Sequence, residues 1–202
     1  MVGKVGRSGI IAAAEQLFRD YGYKPVSLAD IAGAAGIRKP SVYHHFPEGK
    51  EQLYVEVHLA VFDRIRRRVR EALDGAWGSG GASRARALPG RLTAIVRAIL
   101  GEKPLYLLSM MHHDMPKMTE QHRRQLGEAS YNAVIAPIVE VVDQAITAGE
   151  ARPLNAHAVA GSIVAMIEGN AVAYAAGYGD GDLIAMADQS LDLVLNGLVR
   201  TE

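Results

Sequence analysis

Six apolar side chains stand four residues apart: Leu53, Val57, Val61, Ile65, Val69 and Leu73, with Phe62 beside them. That interval marks one face of an amphipathic α-helix, so the sequence predicts a long helix from about Glu48 to about Leu73. Such a helix buries its stripe only against other helices, and the rest of the chain supplies them. Ile10, Ile11, Ala14, Leu17, Phe18 and Tyr21 mark an earlier one, with Gly22 as its stop. Others are expected near 90–101, 104–113, 117–148, 156–176 and 182–199, the third of these kinked at Pro137. Gly149 and Pro153 punctuate one boundary, and Gly177, Gly179 and Gly181 another. The run from Gly75 to Ser83, which contains Trp77, reads as a loop. No segment sustains period-two alternation. The predicted fold class is all-α.

Two short helices precede the long one. Ser27 stands three residues before Asp30, with Leu28, Ile31, Ala32 and Ala35 behind them, which is a capping-box pattern. Gly36 closes that helix by taking a backbone conformation open to glycine. The second spans Lys39–His45, with Pro40 tolerated in its first turn. Two helices joined by a tight turn at Gly36-Ile37 make a helix-turn-helix candidate, and Ala32 and Ala35 are small enough to let them cross closely. The candidate recognition helix, Arg38 to His45, offers two cations, a hydroxyl, a phenol and two imidazoles, and only Val42 is plainly apolar. By spacing alone it is equally a polar surface helix of a bundle.

Charge and composition narrow the function classes. Twenty-two basic side chains balance 22 acidic ones, but residues 1–50 hold 7 Lys/Arg against 4 Asp/Glu and the other 152 hold 15 against 18. A basic head on an acidic body suggests that only the head meets a polyanion. The chain has no cysteine, which excludes disulfides, thiolate zinc sites and a cysteine nucleophile, and fits a cytoplasmic location. The N-terminus lacks the long apolar run of a secretory signal. The most apolar window, Ala158–Gly177, is interrupted by Glu168 and Asn170 and reads as a buried helix, not a membrane span of about 20 apolar residues.

Chemistry is sparse. No Gly-x-Ser-x-Gly, His-Glu-x-x-His or phosphate-loop motif occurs, so the chain is not expected to be an enzyme, although a small helical enzyme is one alternative. No cofactor is expected. Adjacent His112 and His113 point about 100° apart on a helix and cannot easily share an ion, so no metal site is expected there. Arg64, Arg66, Arg67, Arg68 and Arg70 lie far along the long helix from Lys50 and read as a solvated face.

Residues 10–53 resemble the DNA-binding domain of the TetR family of bacterial transcriptional regulators. Ile11, Ala13, Ala14, Leu17, Phe18, Gly22 and Tyr23 carry the resemblance, followed by Ser27, Asp30, Ile31, Ala32, Ala35, Gly36 and Ile37. It continues through Lys39, Ser41, Val42, Tyr43, His45, Phe46, Lys50 and Leu53, and Ser-Val-Tyr-His-His-Phe with lysine four residues on is its most specific part. The resemblance implies a three-helix DNA-binding domain over 4–64, joined by the long helix to a ligand-binding and dimerisation domain over 65–202. It assigns DNA contacts to Ser27, Arg38, Lys39, Pro40, Ser41, Tyr43, His44 and Lys50. Ser27, Tyr43, His44 and Lys50 would meet phosphates, while Arg38, Lys39, Pro40 and Ser41 sit where a recognition helix reaches base edges. His45 and Phe46 would pack the domain. Arg38 departs from the family's Ser or Thr cap; water, another group or phosphate would satisfy the helix start, or the arginine adds a groove cation.

In the body, Gly161, Ala165, Gly169, Ala173 and Gly177 recur every four residues and would let another helix approach closely. With Ile184, Ala187, Leu191, Val194, Leu195 and Leu198 they form the expected seam of a homodimer, as the resemblance implies. Tyr106, Met110, Met111, Met115, Met118 and Tyr131 offer a soft lining for an apolar or aromatic effector, with Glu168 and Asn170 as polar anchors. The expected partners are a palindromic DNA duplex, a second copy and a small-molecule effector that releases a repressor. The alternative is a DNA-binding regulator without an effector.

Overall fold

The computed structural model describes residues 5–77, 87–102, 110–178 and 182–198. Nine helices carry them: α1 (Arg7–Tyr21), α2 (Leu28–Ala34), α3 (Lys39–His45), α4 (Lys50–Trp77), α5 (Leu88–Leu100), α6 (Glu120–Ser130), α7 (Ala136–Thr147), α8 (Ala156–Ala175) and α9 (Leu183–Leu198). No β-strand occurs among the described residues. Helix α4 outruns its expected end at Leu73 and takes in Gly75, which a helix tolerates at a cost of about 1 kcal/mol. The remainder of the expected loop, 78–83, lies outside the described residues, as do most of the helix expected at 104–113 and the glycines at 179 and 181.

The helix expected over 117–148 is divided. Pro137 has no amide to donate, and its ring would strike the carbonyl four residues back. A single π turn over Tyr131–Ile135 absorbs the misfit between α6 and α7.

The chain forms two compact units, Met1–Val61 with Ser109–Ala129, and Phe62–Leu108 with Ser130–Glu202. In the first, α1 turns Ile10, Ala14 and Phe18 inward at i, i+4 spacing and stops at Gly22, whose φ of 76° suits glycine. Helix α1 packs on α2, and Leu28 and Ile31 of α2, Val42 of α3, and Phe46, Leu53 and Val57 are buried as well. Residues 110–126, which the sequence assigns to the body, pack with this unit: the Tyr54 hydroxyl donates to Asp114 at 2.8 Å. Glu51 accepts from the Thr119 amide at 2.8 Å and its hydroxyl at 3.0 Å, and lies 2.7 Å from His122 Nδ1. A carboxylate on α4 thereby caps the start of α6.

In the second unit α8 packs on α7 and α9, and α5 on α7 and α9. Leu92, Ile95, Ile138, Val142, Ile163 and Leu191 are among its fully covered side chains. Helix α8 has the length and apolarity of a membrane span. Yet Ile163, Val164, Ile167 and Ala171 are core, and Asn170 in its middle donates to Ser190 Oγ on α9 at 3.1 Å.

Candidate nucleic-acid interface

The turn before the recognition helix is held as the sequence predicts. Ser27 Oγ accepts from the Asp30 amide at 3.2 Å while the Ser27 amide donates to Asp30 Oδ2 at 2.8 Å. The Ser27 hydroxyl also donates to that carboxylate, at 2.6 Å, and these bonds hold the Asp30 carboxyl below the usual carboxylate range. At the other end Gly36, with φ of 68°, donates to the Gly33 carbonyl and Ile37 to that of Ala32. That pair of bonds closes α2 and aims the chain into α3.

Helix α3 is seven residues long, with Val42 fully buried and Phe46 buried just beyond its end. Around that anchor Arg38, Lys39, Pro40, Ser41, Tyr43 and His44 are all exposed. Burial of one side chain and exposure of its neighbours is what a recognition helix needs: it is pinned from behind and polar in front. Arg38 occupies the N-cap with no side-chain capping bond, and its carbonyl accepts from the Ser41 amide at 2.9 Å. His45 is half-buried and Phe46 has the Arg7 guanidinium 4.9 Å above its ring.

An open groove brings Ser27, Lys39, Tyr43 and Lys50 together, with Lys24 and Gly49 between them. Four of the eight residues assigned to DNA contact thus share one surface, three of the groove's residues being lysines. Lys50, expected to meet a phosphate, is already engaged. Its Nζ donates to the carbonyls of Tyr23, Lys24 and Val26 at 2.9, 3.4 and 3.0 Å, and lies 4.1 Å from the centre of the Tyr23 ring. An ammonium has three donors, so a phosphate would have to displace a carbonyl. Burial pushes this ammonium's pKa down, with Asp114 opposing. No local pattern forecasts these bonds, which reach back 24 to 27 residues.

Four of the five arginines of the run on α4 are paired within their own unit. Arg64 and Arg68 both pair with Glu102, at 3.0 and 2.9 Å, and Arg66 and Arg67 pair with Asp63. These are intrachain ion pairs on a charged face, as expected.

Residues 10–57 match the family model described as "Bacterial regulatory proteins, tetR family". The likeness of this head is to that family of bacterial regulators. Over 68 residues the chain is 37% identical to the HTH-type transcriptional regulator LmrA of Bacillus subtilis, which covers 34% of this chain and 36% of that one. It spans about a third of the length of the curated relatives it matches. Solved structures extend the likeness of fold to nearly the whole chain. The ketosteroid transcriptional regulator KstR2 of Mycobacterium tuberculosis matches with a TM-score of 0.68 at 22% identity, covering 98% of both chains. The transcriptional regulator FadR from Bacillus subtilis, solved with stearoyl-CoA, matches at 0.74 and 17% identity, covering 95% of this chain and 99% of that one.

Against this tetR-type frame, the residues singled out in the body fall in different places. Met110 and Met118 are buried in the first unit, Met115 is half-buried and Met111 exposed. Tyr131, Glu168 and Asn170 belong to the second unit, and Tyr106 lies outside the described residues. The Tyr131 hydroxyl is 3.1 Å from His157 Nε2, and Asn170 is engaged with Ser190. Of the seam residues, Gly161, Ala165, Gly169 and Ile184 are exposed and Ala173 is half-buried. Leu191 and Leu195, expected at the seam, instead turn inward and are covered within the chain's own core; exposed large apolar residues of this region include Val172, Tyr174, Ile184 and, unforeseen, Leu193 at 75%.

Proposed function

We propose that this protein is a sequence-specific, DNA-binding transcriptional regulator that acts as a homodimer and answers to a small molecule. The observation that carries the reading is α3 itself, a short helix pinned by Val42 and presenting Arg38, Lys39, Ser41, Tyr43 and His44 outward, within a segment of tetR type. DNA reading is assigned to residues 4–64, and effector binding and dimerisation to residues 65–202. Lys39 and Arg38 offer cations for guanine edges, each such contact discriminating by roughly 1–3 kcal/mol. Ser27, Tyr43 and His44 take backbone phosphates, and Pro40 and Ser41 line the leading end of the helix.

Two heads related by a two-fold axis read a palindrome whose half-sites lie about one helical turn apart. The exposed stripe Gly161, Ala165 and Gly169, with Val172, Ile184 and Leu193 around it, supports α8 and α9 as the face that joins two copies. The effector is a small apolar or aromatic molecule, a reading supported by two proteins of similar fold, a ketosteroid transcriptional regulator and a regulator solved with stearoyl-CoA. It acts as the releaser of a repressor. Switching occupancy from 99:1 to 1:99 needs about 5.5 kcal/mol of differential affinity, and α4, one continuous helix from Lys50 to Trp77, is the covalent route by which body and head communicate.

The test is the pair Lys39→Ala and Tyr43→Ala, both on exposed positions. The double variant is expected to keep its helical spectrum and dimer mass while losing operator binding at least a hundredfold. Undiminished binding would remove α3 from the interface.

A further inference from the structure

We propose that Lys50 is a positioning residue rather than a phosphate ligand: its ammonium clamps the loop between α1 and α2 to the head of α4 and so fixes the shape of the DNA-facing groove. The inference rests on the DNA-binding reading and assigns within it a role to one side chain. Three carbonyls, those of Tyr23, Lys24 and Val26, converge on Nζ from one loop, and the Tyr23 ring covers it from the side. Tyr23 is itself held edge-on against Tyr54, with ring centres 4.8 Å apart, so the clamp is backed by packed core.

The consequence reaches the groove directly. Val26 precedes Ser27, the cap of α2, and α2 packs on α3. A loop free to move would carry the Ser27 cap with it and blur the placement of Lys39 and Tyr43 across the groove. A carbonyl turned from water needs a partner, and one ammonium serves the part-buried carbonyls of Tyr23 and Val26 together with the exposed one of Lys24. Tetrahedral ammonium geometry suits three converging acceptors, whereas a planar guanidinium does not reproduce it. A phosphate contact has the opposite preference, because arginine serves phosphate at least as well as lysine.

The experiment compares full-length wild type, Lys50→Met and Lys50→Arg. Binding to a duplex selected from a random library is measured from 50 to 300 mM salt, and amide exchange is followed at Tyr23, Lys24, Val26 and Ser27 without DNA. If Lys50 positions, both variants bind at least tenfold more weakly at every salt concentration. The slope of log affinity against log salt is unchanged, and the loop amides exchange at least tenfold faster. If Lys50 holds a phosphate, the slope falls by about 0.9 per protomer in Lys50→Met, Lys50→Arg binds within threefold of wild type, and exchange does not change; that pattern overturns the proposal. The arginine variant, which keeps the charge, decides alone if the methionine variant does not fold. Failure of wild type to bind any duplex refutes the DNA-binding reading instead, while the exchange arm still reads the clamp.

Discussion

Leucine at positions 161 and 169 separates the fold of one chain from the joining of two. Within the chain, a Cβ added to Gly161 or Gly169 meets nothing within 4 Å, and both sit inside α8. Replacing glycine by leucine in a helix interior therefore favours the folded chain, by about 0.8 kcal/mol at each position. Across a two-fold seam the same changes place four added side chains where small residues let backbones approach. Overpacking costs about 1–3 kcal/mol per site, so four sites oppose association by about 4–12 kcal/mol. At 1.4 kcal/mol per tenfold, the dimer dissociation constant rises at least about a thousandfold. Sedimentation equilibrium across a wide concentration range reads this directly, with circular dichroism to show that helix content is kept. A helical monomer is the expected product, and its operator affinity falls because two heads no longer bind together. A double variant that sediments as a dimer with wild-type affinity would mean that this face of α8 is not the seam.

Two further outcomes follow from the first unit. Ser27→Ala removes the hydroxyl's half of the capping box and costs about 0.5–2 kcal/mol in a denaturant melt; Asp30→Ala removes the carboxylate's half and also destabilises, and the double variant loses less than the sum of the two because both single variants already lose the Ser27 Oγ–Asp30 Oδ2 bond. Acid destabilises this unit in two stages. Burial pushes the His58 imidazole below its ordinary pKa, against the Tyr54 carbonyl, Asp114 and Glu15. The unfolded chain therefore binds that proton more readily, and stability falls as pH drops below about 6.5. Burial also pushes Glu51 up, but hydrogen bonds from His122 and Thr119 outweigh it and hold the carboxyl low. Its contribution is present above the ordinary glutamate value of about 4.3 and is lost as pH falls through the lower folded value. Melting temperatures of wild type and His58→Gln between pH 8 and 5 check the first stage: the variant should show a flatter profile, and an unchanged one contradicts the assignment.

Local chemistry made the head readable from sequence. The Ser27–Asp30 box, the stop at Gly36 and the buried Val42 in a polar helix are all decided by residues within a few positions of one another, and the structure holds each of them. The resemblance over residues 10–53 added the expectation of which exposed residues face DNA. What stayed hidden depends on distance along the chain. Lys50 reaches carbonyls 24 to 27 residues away, Glu51 meets His122 across 71 residues and Tyr54 meets Asp114 across 60. Neither periodicity nor composition encodes such pairs. The methionines show a second limit, since core filler and pocket lining have the same chemistry. Met110 and Met118 are buried in the first unit, a placement that either role would produce. On α9 the periodicity placed Leu191 and Leu195 on one face correctly, but only packing decides that this face points into the chain's own core while Leu193 points out. Pro137 is intermediate: its break in the helix is legible, whereas its resolution as a π turn over Tyr131–Ile135 depends on how the flanking helices pack.

Selection of bound sequences from a random duplex library by the full-length protein tests the central claim most directly. Enrichment of an inverted repeat, with its two half-sites about one helical turn apart and its recovery lost with Lys39→Ala plus Tyr43→Ala, is the predicted result. Recovery of no preferred sequence, or of one that survives that double substitution, would contradict it.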